Sequence, residues 1–221
     1  MILSSHSFRI LHRMVYTCLL TLASIGWCAA QSAEKILASA SAAYEKSNGI
    51  SAQFIANIQN EKQGGAESFE GIIQMKGEKF LLTTPDSRTW YDGKTQWTYM
   101  PSAGEVYVST PTSNELQYTN PMIFLRSYNK DFNLKYIGES TSDKGKTAYD
   151  IRLTAKRQSD MDKIEIQIDK TTSLPARMTV YMKNGIRSLF RISSLQTGVN
   201  QPDALFVCNP KDFPDAVVID L

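Results

Sequence analysis

Histidine is nearly absent. His6 and His12 are the only two in the 221 residues. Both fall in the first thirty positions, which read as a leader removed from the mature chain. Beyond them no imidazole is left, which excludes Ser-His-Asp and Cys-His catalysis and nearly all zinc sites. Cysteine is as scarce: Cys18 and Cys28 belong to the same leader, so Cys208 stands alone. No intramolecular disulfide can form, and the fold must rest on its apolar core. Cys208 itself reads as a small buried hydrophobe. An excess of one charge is lacking too. The 24 basic and 22 acidic residues balance once Arg9 and Arg13 leave with the leader. With no basic block, nucleic acid is not an expected partner. No glycine-rich loop opens a helix, so nucleotide binding has no support and no cofactor is expected. There is no fixed-period repeat, no low-complexity segment and no linker. The expectation is a cleaved signal peptide over 1–30 and a single domain over 31–221.

The leader has three parts. Arg9, His12 and Arg13 form a basic start, Met14 to Trp27 is mostly apolar, and Cys28-Ala29-Ala30 ends it with small residues. That order is a secretory signal with cleavage between Ala30 and Gln31. The apolar run is short for a membrane span. Trp27 is a poor residue to precede an acylated cysteine at Cys28. What remains, roughly 190 residues, is enough for a real core.

What is present is β structure around one organising stretch, Phe69 to Ser109. Short runs rich in β-branched and aromatic residues alternate there with turn signals, giving about five strands. Asp92-Gly93 is the strongest turn, since glycine accepts a positive φ. Trp90, Trp97 and Tyr99 flank it. Before this stretch, residues 33–47 predict an amphipathic helix with Ile36, Leu37, Ala40, Ala43 and Tyr44 on one face. Ser32 is its N-cap, and Asn48-Gly49 stops it. Ser51–Asn60 predicts a strand. After the organising stretch, Asn120-Pro121 predicts a helix start. Met122, Ile123, Phe124 and Leu125 follow, apolar on every side of a helical turn. A surface helix shows only a stripe, so this turn is either buried all round or laid over an apolar cavity.

Beyond Phe132 the chain predicts strands over 134–141, 147–155, 163–169, 174–183 and 186–195. Asn184-Gly185 is a second hairpin turn. Met178, Val180 and Met182 alternate with Arg177, Thr179, Tyr181 and Lys183, so one face is apolar and the other wet. About ten or eleven antiparallel strands are too many for a flat sheet and should curl toward a barrel. The tail from Pro202 should pack as an edge element. The fold class is mainly β with helices (α+β): an incomplete antiparallel barrel closed by a helical lid.

Paired carboxylates can hydrolyse glycosides. Asp143, Asp150, Asp160, Asp162, Glu165 and Asp169, however, fall in turns or on wet strand positions, where a solvated face is the ordinary reading. What remains is apolar surface. Met75, Met100, Met122, Met161, Met178 and Met182 supply adaptable side chains. A barrel that is not closed can hold an apolar ligand under a lid.

Five features fall in one order: the first helix, Gly49-Ile50-Ser51-Ala52-x-Phe54, Asp92-Gly93-Lys94-Thr95-x-Trp97-x-Tyr99-x-Pro101, Asn120-Pro121 before an apolar helix, and Ala204-x-Phe206 before Pro210. In this order the chain resembles the periplasmic LolA-type carriers of outer-membrane lipoproteins. The resemblance implies a non-enzymatic, monomeric periplasmic carrier. It would hold the acyl chains of lipoproteins in a half-barrel and shuttle them from the inner to the outer membrane. Its partners would be acylated lipoproteins, an inner-membrane lipoprotein-releasing ABC transporter and, in some bacteria, an outer-membrane receptor of similar fold. Candidate lining residues are Phe54, Phe80, Leu82, Trp90, Trp97, Tyr99, Met178, Val180 and Met182, with Met122, Ile123, Phe124 and Leu125 as lid. Members of the family carry Arg-Pro after the lysine corresponding to Lys76, and that arginine latches the lid. Here Gly77-Glu78 stand in its place. The alternatives are a carrier of another amphiphile and a regulator of the same fold that senses lipids or envelope stress. A lipid hydrolase is disfavoured by the missing histidine.

Overall fold

The computed structural model describes residues 33–112, 115–116 and 124–221. The leader, Ser32, Asn120-Pro121, Met122 and Ile123 lie outside the described residues, and so does the side chain of Phe124. Helix α1 covers residues 33–46. Its Ala33, Leu37, Ala40 and Tyr44 are all buried. Their three- and four-residue spacing makes one stripe that can only face the sheet. The helix ends at Asn48 (φ 49°) and Gly49 (φ 130°). Only glycine serves at the second position: a Cβ there would stand 2.3 Å from the Val199 carbonyl oxygen.

Strands β1 (Ile50–Asn60), β2 (Ala66–Lys76), β3 (Lys79–Thr83), β4 (Arg88–Tyr91), β5 (Gln96–Met100) and β6 (Glu105–Ser109) form one meander. Helix α2 (Phe124–Asp131) precedes a second, made of β7 (Phe132–Thr141), β8 (Thr147–Ala155), β9 (Met161–Asp169), β10 (Pro175–Met182) and β11 (Ile186–Thr197). Pairing of β1 with β11 joins the meanders, and β12 (Val217–Asp220) adds to β6. The order across the sheet is β12-β6-β5-β4-β3-β2-β1-β11-β10-β9-β8-β7. The two ends do not pair, so the sheet is open. Among the described residues it has twelve strands, where about ten or eleven are expected, because the tail supplies a short one. That tail strand sits at the edge, as expected, but it pairs parallel, with Val217 opposite Glu105. The antiparallel description therefore holds for every strand pair except this one.

The Asp92-Gly93 hairpin forms, with residues 92–95 as its loop. Asp92 Oδ1 accepts from the Lys94 and Thr95 backbone N–H groups at 2.8 Å each, so the aspartate side chain sets the turn.

Register sorts the side chains. On one face Ile50, Ala52, Phe54 and Ala56 of β1 stand opposite Met75, Ile73, Gly71 and Phe69 of β2. The same face continues through Phe80 and Leu82 in one direction. In the other it continues through Phe190, Met178 and Ile166. Helices α1 and α2 lie on this face, and Leu116 of the helical residues 115–116 packs there too. Leu37 and Ala40 of α1 join Leu125 and Tyr128 of α2 in one buried cluster with Ile151, Ile164 and Met178. The connection from β6 to β7 leads from near one edge of the sheet to the other edge, which brings α2 to the helix-covered face.

Candidate ligand-binding face

The helix-covered face is apolar across most of the sheet but unevenly covered. Two buried clusters share it. One gathers α1, α2 and β7–β10. The other gathers Tyr44, Phe54, Ile73, Met75, Phe80 and Tyr91. Phe190 packs against both. Phe54 lies edge-on to Phe69 at 6.5 Å and to Phe190 at 6.0 Å between ring centroids. Phe80 and Tyr91 stack at 5.5 Å. Val180, Met182, Leu134 and Tyr136 are only half-buried at the rim of the first cluster. This is soft, shape-adaptable surface.

Burial here raises the Tyr128 phenol above its ordinary pKa, aided by Glu34. It does the same for Tyr91, aided by Glu78 and Asp92. The cover is tied down by a polar bond at one end: the Tyr44 hydroxyl donates to the Gly77 carbonyl at 2.8 Å. Gly77 belongs to the β2–β3 turn, where the resemblance places the missing latch arginine. Here a helix tyrosine reaches that turn instead.

The predicted lining divides in two. Phe54, Phe80 and Leu82 share the helix-covered face with Met178, Val180 and Met182. Leu125 is fully buried among the same residues. Trp90, Trp97 and Tyr99 are on the opposite face. There they pack with Phe206, Cys208 and Phe213 of the tail. Phe213 lies 5.8 Å from the Trp90 ring and 4.2 Å from that of Tyr99. The sheet separates these three aromatics from the other candidate lining residues. The reason is physical: β3 and β4 are covered on both faces, so Phe80 and Leu81 are both buried, as are Thr89, Trp90 and Tyr91. Alternation then stops marking a face, and a one-residue slip exchanges the faces.

The candidate lining left out Tyr91, Phe190 and Ile73 on the apolar face, and Met75, named in sequence only as an adaptable side chain, lies there too. The signal for Phe190 was its register opposite Met178. The signal for Met75 was its place opposite Phe80 across the tight Gly77-Glu78 turn.

The carboxylates are engaged or exposed. Burial would raise the Glu165 carboxyl, but hydrogen bonds from Arg152, Tyr181 and Lys163 outweigh it and hold it below the ordinary glutamate value. Asp169 is likewise pushed up by burial and brought down further by the Thr172 and Thr171 amides it caps. Asp143 pairs with Arg191 at 3.3 Å. Asp160 and Asp162 are exposed. Among the described residues no three His, Cys, Asp or Glu side chains gather where they could hold a metal ion.

A family model described as outer membrane lipoprotein carrier protein LolA matches residues 23–186. No protein of curated function matches by sequence. Among solved structures, an uncharacterized conserved protein from Thermus thermophilus superposes with a TM-score of 0.56 at 16% identity, covering 86% of this chain and 99% of that one. A putative outer membrane lipoprotein-sorting protein domain from Vibrio parahaemolyticus gives 0.48 at 11% identity, covering 83% and 99%. The MucA/MucB complex of Pseudomonas aeruginosa gives 0.41 at 15% identity, covering 86% and 64%.

Proposed function

The chain belongs to the outer membrane lipoprotein carrier protein family of the LolA type, and on that premise we propose that it is a non-enzymatic periplasmic carrier of lipoprotein acyl chains. One observation carries the reading: a broad apolar face of an open sheet is covered, among the described residues, by helical segments of the chain. Several acyl chains exposed to water would cost tens of kcal/mol, at roughly 0.8 kcal/mol per CH₂. They cross an aqueous compartment only inside such a shield. Release then requires a cover that lifts without unfolding the sheet.

In this reading Phe54, Phe80, Leu82, Met178, Val180 and Met182 line the cavity. Met122 to Leu125 form the lid, with Leu125 as the anchor that leaves when cargo enters. The donor of cargo is an inner-membrane ABC transporter, and the acceptor is the outer membrane or a receptor there. Residues 1–30 direct export and are removed.

The test is a fluorescent fatty-acyl probe titrated into the mature protein and its Phe124→Asp variant. The variant is expected to bind the probe at least about tenfold more weakly, the size of a lost 1.4 kcal/mol contact, with its melting temperature little changed. Equal losses in binding and stability would make this turn an ordinary piece of packed core.

A further inference from the structure

The face of β8–β11 turned away from the helices holds a groove of about 410 Å³. It adjoins a second of about 300 Å³ that reaches β1 and β2, and Arg187, Leu189 and Arg191 line both. Asp143, in the turn between β7 and β8, reaches Arg191 on β11, three strands from β8. That end of the sheet therefore folds over its own polar face and walls the groove.

The charges in it do not balance. Four arginines and two carboxylates line the larger groove. Glu165 is taken: Arg152 donates to it at 2.7 Å and 3.1 Å, Lys163 at 3.3 Å and the Tyr181 hydroxyl at 3.0 Å. Arg191 is held by Asp143 and by Asn57 Oδ1 at 2.6 Å. Arg177 and Arg187 have no carboxylate partner among the described residues. Arg187 lies over the Tyr181 ring, and its Nε is buried with nothing to donate to. Arg177 stands directly opposite Arg191 across the β10–β11 pair. Like charges facing each other across strands are destabilising, and an unmet buried donor adds to the cost. One acceptor is also unmet: Gln167 is buried, and its Oε1 has no hydrogen-bond donor.

We propose that this groove binds a polyol phosphate, with the phosphoryl group taken by Arg177 and Arg187 and a ligand hydroxyl donated to Gln167 Oε1. Guanidinium forks match phosphate oxygens in shape and charge. The orphan acceptor asks for a hydroxyl placed beyond the phosphoryl group that the arginines hold, which a polyol ester carries on its carbon chain and inorganic phosphate does not. The volume suits a small ligand. Thr179 follows Arg177 on the same face of β10 and adds a hydroxyl to the lining. The same chemistry occurs in free sugar or glycerol phosphates and in the headgroup of a glycerophospholipid. The site is on the opposite side of the sheet from the acyl face, so it does not depend on the carrier reading.

The test is calorimetric titration of the mature chain with sn-glycerol 3-phosphate, glucose 6-phosphate and inorganic phosphate, together with sedimentation with phosphatidylglycerol vesicles. Wild-type protein is expected to bind a polyol phosphate saturably and more tightly than inorganic phosphate. The Arg177→Gln/Arg187→Gln double variant should lose at least about tenfold in affinity, as expected for charged hydrogen bonds. Its unliganded melting temperature should not fall, because the opposed charges are relieved. Arg177→Lys keeps the charge but not the fork, and should weaken binding in a fully folded protein. Vesicle binding that needs the two arginines assigns the headgroup, and soluble binding alone assigns the free phosphate. No saturable binding, equal affinity for inorganic phosphate, or binding untouched in the variants overturns the proposal.

Discussion

Phe54 lies where a side chain at position 71 would be. A Cβ on Gly71 would stand 2.4 Å from the far edge of the Phe54 ring, and the two residues face each other across β1 and β2. Glycine inside a strand weakens it, and one ordinary reason for its presence is a close approach such as this. Here the approach lets a large ring lie flat on the apolar face. Gly71→Ala is therefore expected to destabilise the protein by about 1–3 kcal/mol through overpacking, read from urea unfolding. In a Phe54→Ala background the same change should be neutral or favourable. An equal loss in both backgrounds would show that the ring and the glycine are not coupled.

Elements were legible in sequence where one face was wet. The alternation of Met178 and Val180 with Arg177, Thr179 and Tyr181 marked the two faces of β10, and the apolar one packs inward. The apolar stripe of α1 and its Asn48-Gly49 stop were equally plain. Trp90, Trp97 and Tyr99 were not: β4 is buried on both faces and β5 is half-buried along its whole length, so periodicity carries no face information there. The parallel β12 was hidden for another reason: four residues are too few to show a period, and only the tertiary path of the tail brings them to β6.

That path is pinned by charge. Asp203 accepts from Lys79 at 2.8 Å and Lys76 at 3.1 Å, and Lys76 also donates to the Gln201 carbonyl. The hydrogen bonds from Lys79 and Lys76 hold the Asp203 carboxyl below the ordinary aspartate value. A depressed folded-state pKa contributes stability above the unfolded value and loses it as pH falls through the folded one. The tie between the tail and the β2–β3 hairpin should therefore persist at neutral pH and release only in acid, below the usual aspartate range. An NMR titration of the Asp203 carboxyl should give a midpoint lower than that of a free aspartate. A midpoint at or above it would mean that the ion pairs do not form in solution.

At the scale of the molecule, two faces of one sheet are put to different uses. The tail covers one side of β3–β6 as plain core. The helices cover the other side with a rim of half-buried methionine, valine and aromatic side chains. Tyr44 on Gly77 fastens α1 at the β2–β3 turn, while α2 rests on Leu125 and Tyr128. On the carrier proposal α2 is the element expected to move, with α1 staying in place. The most direct measurement is to purify the protein from the periplasm without detergent and identify what it carries by intact-mass and lipid mass spectrometry. The account predicts an acylated lipoprotein bound one to one, released when a polar residue replaces Phe124. A protein that arrives empty, and that also takes up no fatty-acyl probe, would contradict it.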